Sequence, residues 1–341
     1  MWNLTCVRRL PRIAGILALG ALGAGCSAST TADMGGGDAA APPDLEPPAA
    51  ACAPKASCQA ADKACLGLVD NTGLTKFSLR MSQMEITAPA ALSSGIVRAT
   101  VVDSVTPNNK PCNLSGTATF SWLLQFDTAS ATLKTGGAKP VMDATQGYAF
   151  DDEMIAQGAK TFHVQPISYQ SIKPDASGSF AVTKGQDLVM PVFLNDTGTS
   201  VLLLPLHEAR ITMGTLSRNQ NCIGTYNAAG LEPVNSCQPD GTHPQFLSGG
   251  KLDGYITLEE ADTVVVSAIS QSLCVLLSGN AAMYGMTPNG ANTAVCKRDE
   301  GGKILYQGNW CATTNMAAAG GCADAEPLTA NFAASSIKIN N

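Results

Sequence analysis

The sequence is poor in charged and aromatic side chains and contains few histidines. Of 341 residues, 14% are charged, 5% are aromatic and three are histidines, whereas soluble domains usually carry about 25% charged residues. So few charges, with 33 glycines and 19 prolines, exclude a long coiled coil. A net charge of −6 without a basic stripe gives no reason to expect a nucleic-acid partner. Because 45% of the chain is hydrophobic, it has enough apolar residues for a folded core.

Catalytic and cofactor motifs are also missing. The sequence has no phosphate-cradling loop, no dinucleotide motif and no G-x-S-x-G elbow. None of the histidines belongs to an H-E-x-x-H pattern; they are His163, His207 and His243. We therefore assign no catalytic residue, no metal ligand and no cofactor, and we expect a non-enzymatic role.

The N-terminus has the features of an export segment. Arg8, Arg9 and Arg12 precede an apolar run of 13 residues, 13–25. A membrane-spanning helix needs about 20 apolar residues, so this run is typical of a signal peptide. Its end, Leu22-Gly23-Ala24-Gly25-Cys26, resembles the lipobox of bacterial lipoproteins, with the leucine four residues before the cysteine instead of the usual three.

The resemblance implies that Cys26 is acylated and becomes the mature N-terminus, and that Ser27 directs sorting to the outer membrane. The body likewise resembles uncharacterised lipoproteins of Gram-negative cell envelopes. An ordinary secretory peptide is the alternative, with export but no anchor. Loss of residues 1–25 removes three arginines and changes the net charge to −9, so contact with the membrane should come from the acyl chains.

We expect four regions. These are a signal peptide (1–25), the lipidated cysteine with a disordered tether rich in Ala, Pro, Gly and Asp (26–50), a β-rich domain (51–218) and a cysteine-rich β/α part (219–341). The last two regions are alternatively one continuous domain. The tether has no aromatic or β-branched residue apart from Thr30 and Thr31, and its length corresponds to about 25–30 Å.

Alternating apolar residues predict strands in the body. Alternation runs over 95–105 and 119–126, and it slips by one residue between Met81 and Met84, which indicates a β-bulge. Two apolar runs, 188–194 and 201–206, predict a hairpin, and 335–340 is expected to be a final strand. The sequence thus predicts a mainly β fold: an antiparallel β-sandwich-like body with minor helix and a disulfide-stapled C-terminal part.

Helices are expected only near residues 257–279. Thr257 and Glu260 have the spacing of a capping box, and Gly279 is placed to end a helix. Between them, the β-branched run 264–266 predicts a break into helix, strand and helix.

Ten cysteines remain after Cys6 and Cys26 are set aside. An even number in an oxidising compartment favours up to five disulfides over a zinc site, because no close pair accompanied by histidine occurs. Four lie at or before Cys112 and six at or after Cys222, so each group could close within itself. The candidates are Cys52, Cys58, Cys65, Cys112, Cys222, Cys237, Cys274, Cys296, Cys311 and Cys322.

Three further motifs have ordinary structural interpretations. Residues 253–260 match half of an EF-hand loop, but Gly249 and Lys251 occupy two ligand positions, so we expect a turn before a capped helix. Asp151, Asp152 and Glu153 are interpreted as a solvated loop rather than as paired catalytic acids. The S-x-x-K match at 335–338 is interpreted as coincidence.

The sequence leaves the class of partner open. Besides the membrane, reached through the acyl anchor, we expect an envelope protein or a glycan as partner. A secreted hydrolase that uses Asp151, Asp152 or His207 is the runner-up, and a concave cleft joining a histidine and two acids would favour it. Coplanar exposed aromatics would favour glycan binding. Trp122 and Trp310 are expected in the interior, and five tyrosines are candidate surface contacts: Tyr148, Tyr226, Tyr255, Tyr284 and Tyr306.

Overall fold

The structure is a computed structural model that describes residues 50–54, 67–93, 119–157, 160–228, 230–231, 243–279, 284–286 and 293–340. These all belong to one compact unit, Glu46–Asn341. The signal peptide, Cys26, the tether up to residue 49, the strand expected at 95–105 and four candidate cysteines (Cys58, Cys65, Cys112 and Cys237) lie outside the described residues.

Most of the described chain forms β-strands. The strands are β1 Lys76–Ala88, β2 Trp122–Asp127, β3 Thr132–Gly137, β4 Glu153–Gln157, β5 Lys160–Val164, β6 Ile167–Gln170, β7 Ser179–Phe180, β8 Gln186–Phe193, β9 Val201–Thr215, β10 Cys222–Ile223, β11 Thr225–Tyr226, β12 Phe246–Leu247, β13 Gly250–Thr257, β14 Val265–Val266, β15 Gln271–Ser272, β16 Tyr284–Met286, β17 Ala294–Cys296, β18 Trp310–Cys311, β19 Met316–Ala317 and β20 Ala325–Ser336. The helices are α1 Ala90–Ser93, α2 Leu258–Ala261 and α3 Leu273–Ser278, with 3₁₀ turns at Ala144–Gln146 and Ser267–Ile269.

One antiparallel sheet organises the molecule. Its strands follow the order β6-β3-β2-β1-β20-β13-β9-β7, and β8 pairs with the first half of β9. The C-terminal strand β20 therefore lies between β1 and β13. Strands from both sides of residue 218 contribute to this sheet, because β20 and β13 lie between β1 and β9.

The sheet curls so that strands from its opposite ends meet. The ring of Phe180 on β7 contacts Phe126 on β2 edge-on, with 5.3 Å between centroids. The hydroxyl of Tyr169 on β6 donates a hydrogen bond to the carbonyl of Ala209 on β9. The curl encloses one large core cluster in which Leu79, Phe120 and their neighbours are almost fully buried. The predicted mainly β, antiparallel fold with minor helix is confirmed.

Local details of the strand predictions are confirmed in two places and wrong in a third. A register shift between Met81 and Gln83 forms the expected bulge in β1. Strands β8 and β9 form the expected hairpin, with Phe193 opposite Val201. The strand expected at 335–340 is wrong, because β20 ends at Ser336 and only an isolated bridge at Ile339 follows.

The helix predictions are confirmed in detail. Thr257 Oγ1 accepts a hydrogen bond from the backbone N–H of Glu260, and Gly279 ends α3 with a φ of 57°. Strand β14 separates α2 from α3, as the β-branched run predicts. Among the described residues no helix has the length and apolar character needed to cross a membrane.

Disulfides join all six described cysteines in three pairs. Cys274–Cys296 and Cys311–Cys322 staple the C-terminal part, as expected. Cys52 pairs with Cys222 across 170 residues of sequence. This pair connects the two cysteine groups that were expected to be able to close separately, because β10, which carries Cys222, pairs with β20 inside the shared sheet.

Candidate functional site

A kink in β9 brings a histidine and two carboxylates together. Two strands pair with β9 at this point. His207 lies opposite Tyr255 of β13, β8 pairs as far as Ala209, and the register shifts in both pairings. The residue after His207, Glu208, has a φ of 51°, a conformation that costs a non-glycine residue free energy. Its backbone N–H donates to Asp187 Oδ1 at 3.1 Å. This hydrogen bond fixes Asp187 beside the kink.

Helix α2 brings a second carboxylate to the same place. Strand β13 leads directly into this helix, whose N-cap is Thr257. The hydroxyl of Thr257 donates to Glu260 Oε2 at 2.6 Å. Strand β13 pairs with β9, so the first turn of the helix holds Glu260 against His207.

The imidazole of His207 lies between the two carboxylates. Its Nε2 is 2.7 Å from Glu260 Oε2, and its Nδ1 is 3.1 Å from Asp187 Oδ2. The ring stacks on Tyr255 with 5.3 Å between centroids. The side chains of His207 and Glu260 are 25% and 23% exposed, whereas Asp187 is 68% exposed. The cluster is thus open to solvent on the Asp187 side.

Charge pairing determines the protonation of the cluster. The hydrogen bond to Glu260 raises the pKa of His207 to about 9 against the opposing effect of burial, and Asp187 adds to the increase. Burial raises the pKa of Glu260, but the hydrogen bonds from His207 and Thr257 outweigh it and hold that pKa below its usual value. At neutral pH His207 is therefore an imidazolium that donates from both nitrogens.

A groove of about 210 Å³ runs past this cluster. Its floor is aliphatic, with residues such as Ile167, Leu188 and Leu206. On its other side, His163 Nε2 is 2.8 Å from Asp152 Oδ1, and both of these side chains are well exposed. The groove thus combines an apolar floor with histidine–carboxylate pairs.

The consecutive acids Asp151 and Asp152 lie in different environments. Asp152 contacts His163 rather than His207. Asp151 is buried, and desolvation raises its pKa, with a further increase from Glu153. The interpretation of these acids as a solvated loop is therefore wrong for Asp151, whose backbone N–H bonds to Gly137 in the interior.

Other candidate motifs prove to be structural. The half EF-hand match is a strand paired on both sides, so the expected turn before the helix is wrong while the cap is right. Ser335 is fully buried in β20, and Lys338 is exposed beyond its end. The expectation of surface tyrosines is wrong for three of the five, Tyr148, Tyr226 and Tyr255, which are buried.

Two groups of one carboxylate and two cysteines have metal-like spacing. They are Asp262 with Cys274 and Cys296, and Asp324 with Cys311 and Cys322. In each group the cysteines form a disulfide, so they lack the thiolates that bind metals. Asp262 instead accepts hydrogen bonds from Ser272, Cys296 and Arg298. These groups are structural crosslinks.

The arrangement at His207 can hold a charge but cannot take up a proton at neutral pH. Both ring nitrogens are already occupied, and the hydroxyl of Thr257 contacts Glu260, not the imidazole. Sequence reasoning identified His207 and saw Glu260 only as a helix cap. Asp187 was missed because no motif marks it; the kink at Glu208, which brings it near, has no sequence signature.

The fold and this site define a disulfide-stapled, mainly antiparallel β protein with a histidine–carboxylate groove. Comparison of the chain with protein-family models, with curated proteins and with solved structures finds no match.

Proposed function

We propose that the chain is an exported, lipid-anchored cell-envelope protein with a non-enzymatic interaction or structural role. The observation that carries the proposal is that all six cysteines among the described residues are paired in disulfides. Disulfides persist in oxidising compartments outside the cytoplasm. The lipobox-like residues 22–26 and the tether that follows supply the anchor in this proposal, and Ser27 supplies the sorting to the outer membrane.

The groove is the surface on which we place the interaction. Asp152 and Asp187 are about two-thirds exposed beside its apolar floor, so it offers negative charge to a partner segment that is basic and partly apolar. Glycans are the weaker candidate partner, because no aromatic side chain of the described residues is more than partly exposed, and sugar binding favours exposed rings.

Acylation of Cys26 tests the anchor. We expect mass spectrometry of the mature protein to find an acylated N-terminal cysteine at position 26, and the protein to sediment with membranes. Cys26→Ser should abolish acylation and membrane association, whereas Ser27→Ala should retain both. An unmodified N-terminus at another position would contradict the anchor, although an exported, disulfide-bonded body would remain.

A secreted hydrolase is the second candidate, and one observation favours it. His207 and two carboxylates converge in a concave groove, which is the arrangement that a hydrolase of this kind requires. The raised pKa of His207 argues against a general base at neutral pH. Turnover of ester, glycoside or peptide substrates that is lost in His207→Gln and kept in His163→Gln would establish the hydrolase and refute the non-enzymatic role.

A further inference from the structure

A second cavity, of about 310 Å³, shares no lining residue with the histidine groove. Two loops form most of its wall: 171–178, between β6 and β7, and 216–221, between β9 and β10. Thr128, in the turn between β2 and β3, completes the lining. The backbone N–H of Leu216 donates to the carbonyl of Gly178 at 2.8 Å and ties the two loops together.

Polar networks hold the first loop in a fixed shape. Asp175 Oδ1 accepts hydrogen bonds from the N–H of Ser177 at 2.9 Å, from its hydroxyl at 2.7 Å and from the N–H of Ser179 at 2.9 Å. These bonds keep the pKa of Asp175 below its usual value. The carboxylate of Asp175 is therefore used by its own loop.

The second loop is held in a similar way. Ser217 Oγ accepts from the N–H groups of Asn221 and Cys222 and donates to Asn221 Oδ1 at 2.9 Å. The disulfide to Cys52 anchors the end of the loop. Between these fixed points Gln220 has a φ of 54° and buries its Oε1 without a donor among the described residues. Such a wall is preorganised, so a ligand would pay little to order it.

Two cations line this cavity, Lys173 and Arg218. Neither side chain forms an ion pair with any residue of the described chain, in contrast to Lys139 and Arg298, which pair with acids. Hydrogen bonds from Thr72 are the main cause of the lowered pKa of Asp70, and Arg218 contributes only a smaller part. The chain has more acids than bases, but this cavity has two cations in its lining and one acid, Asp175, whose carboxylate is hydrogen-bonded within its own loop.

We propose that this cavity binds a small oxyanion, a carboxylate or a phosphate, between Lys173 and Arg218. A charge-assisted hydrogen bond from each cation to the oxyanion gives the affinity. The site is independent of the partner groove and of the lipid anchor.

Isothermal titration calorimetry of the full-length protein at low ionic strength tests the site. Inorganic phosphate and acetate are titrated separately, so that the chemistry of the oxyanion is decided by which of them binds. We expect saturable binding of at least one probe. Lys173→Gln and Arg218→Gln should each weaken it by about tenfold or more, whereas the matched control Lys184→Gln, an exposed lysine outside the cavity, should leave it unchanged.

Three results would overturn the proposal. They are the absence of saturable binding of either probe up to about 10 mM, unchanged affinity in both cavity variants, and an equal loss in Lys184→Gln, which would indicate a diffuse charge effect. Both cations are exposed, so we expect thermal unfolding of the unliganded variants to match that of the wild type. If one variant is unstable, the other decides the outcome.

Discussion

At the scale of the residue, His207 shows how the surroundings of a side chain change its chemistry. A histidine at the end of an apolar run gives no indication of its protonation. In the folded protein it meets Glu260 from a helix cap and Asp187 from the neighbouring strand. These two contacts convert a group that titrates near neutral pH into a cation that ties three elements together. We therefore interpret the main role of His207 as structural: its ion pairs join β9 to β8 and α2 at the kink of β9.

The ion pairs of His207 predict that the free energy of unfolding of the protein depends on pH. The pKa of His207 in the folded protein, about 9, is higher than its ordinary value of 6.5. Its contribution to the free energy of unfolding is therefore complete below pH 6.5 and is lost as the pH rises through about 9. Chemical denaturation should find His207→Gln about 2 kcal/mol less stable than wild type at pH 6. The difference in free energy of unfolding between the two proteins should decrease steadily towards pH 10.

The matched control for this experiment is His163→Gln. His163 also contacts one carboxylate, but its side chain is 44% exposed and that of Asp152 is 67% exposed. Such surface pairs contribute little to stability, so the variant should follow the wild-type pH profile. A stability difference for His207→Gln that stays constant from pH 6 to pH 10 would refute the ion-paired imidazolium.

At the scale of the element, sequence patterns succeed where one face of a strand differs from the other. The bulge in β1 could be predicted because alternating apolar residues mark its register. The hairpin of β8 and β9 could be predicted for another reason: turn residues at 195–198 separate two apolar runs. Strand β20, the centre of the sheet, could not, because most of its residues are buried on both faces and many are small: AEPLTANFAASS. It contains Pro327, which usually argues against a central strand. Its partners on both sides, β1 and β13, determine its structure.

Two glycine–phenylalanine pairs determine how closely the central strands approach. Gly250 of β13 lies opposite Phe332 of β20, and Gly214 of β9 lies opposite Phe180 of β7. A Cβ atom built on Gly250 would be 2.4 Å from Cε1 of Phe332, and one on Gly214 would be 2.4 Å from Cζ of Phe180. Each ring therefore covers the glycine of the adjacent strand, as aromatic side chains do across sheets.

Gly250→Ala should destabilise the protein by about 1–3 kcal/mol, because the buried ring of Phe332 cannot move away without cost. Urea denaturation provides the measurement. Gly67→Ala is the control: a Cβ atom there meets nothing within 4 Å, and we expect a change below about 0.5 kcal/mol. The double variant Gly250→Ala with Phe332→Leu should lose less free energy of unfolding than the sum of the losses in the two single variants. Equal stability of the two alanine variants would disprove the close packing.

At the scale of the whole molecule, the division of the sequence into two cysteine groups gave a misleading picture of connectivity. An even number of cysteines predicts pairing but not partners, and Cys52–Cys222 joins the two groups. Its position follows from the sheet, in which the late strands β20 and β13 lie between the early strands β1 and β9. The candidate site is predictable to the same limited extent: His207 is identifiable in the sequence, but its partners come from elements up to 53 residues away.

Because of this connectivity, we expect the three disulfides to contribute unequally to the free energy of unfolding. In the chain-entropy description, a crosslink stabilises the fold by restricting the unfolded chain, and more so for longer loops. The separation is 170 residues for Cys52–Cys222 and 11 for Cys311–Cys322, which corresponds to about 5 and about 3 kcal/mol. Burial also favours a larger contribution from Cys52–Cys222, because both cysteines belong to a core cluster with Tyr226 and Phe246.

We therefore expect Cys52→Ala with Cys222→Ala to lower the free energy of unfolding by about 5 kcal/mol, enough to unfold much of a marginally stable protein. Cys311→Ala with Cys322→Ala should lower it by about 3 kcal/mol and leave the main sheet folded. Denaturant titration of the purified variants, followed by circular dichroism, gives both values. A larger loss for the short-loop pair would mean that the long crosslink adds little to a sheet in which β10 is already held against β20. In that case backbone pairing, rather than the covalent bond, would be the main connection between the early and late parts of the chain.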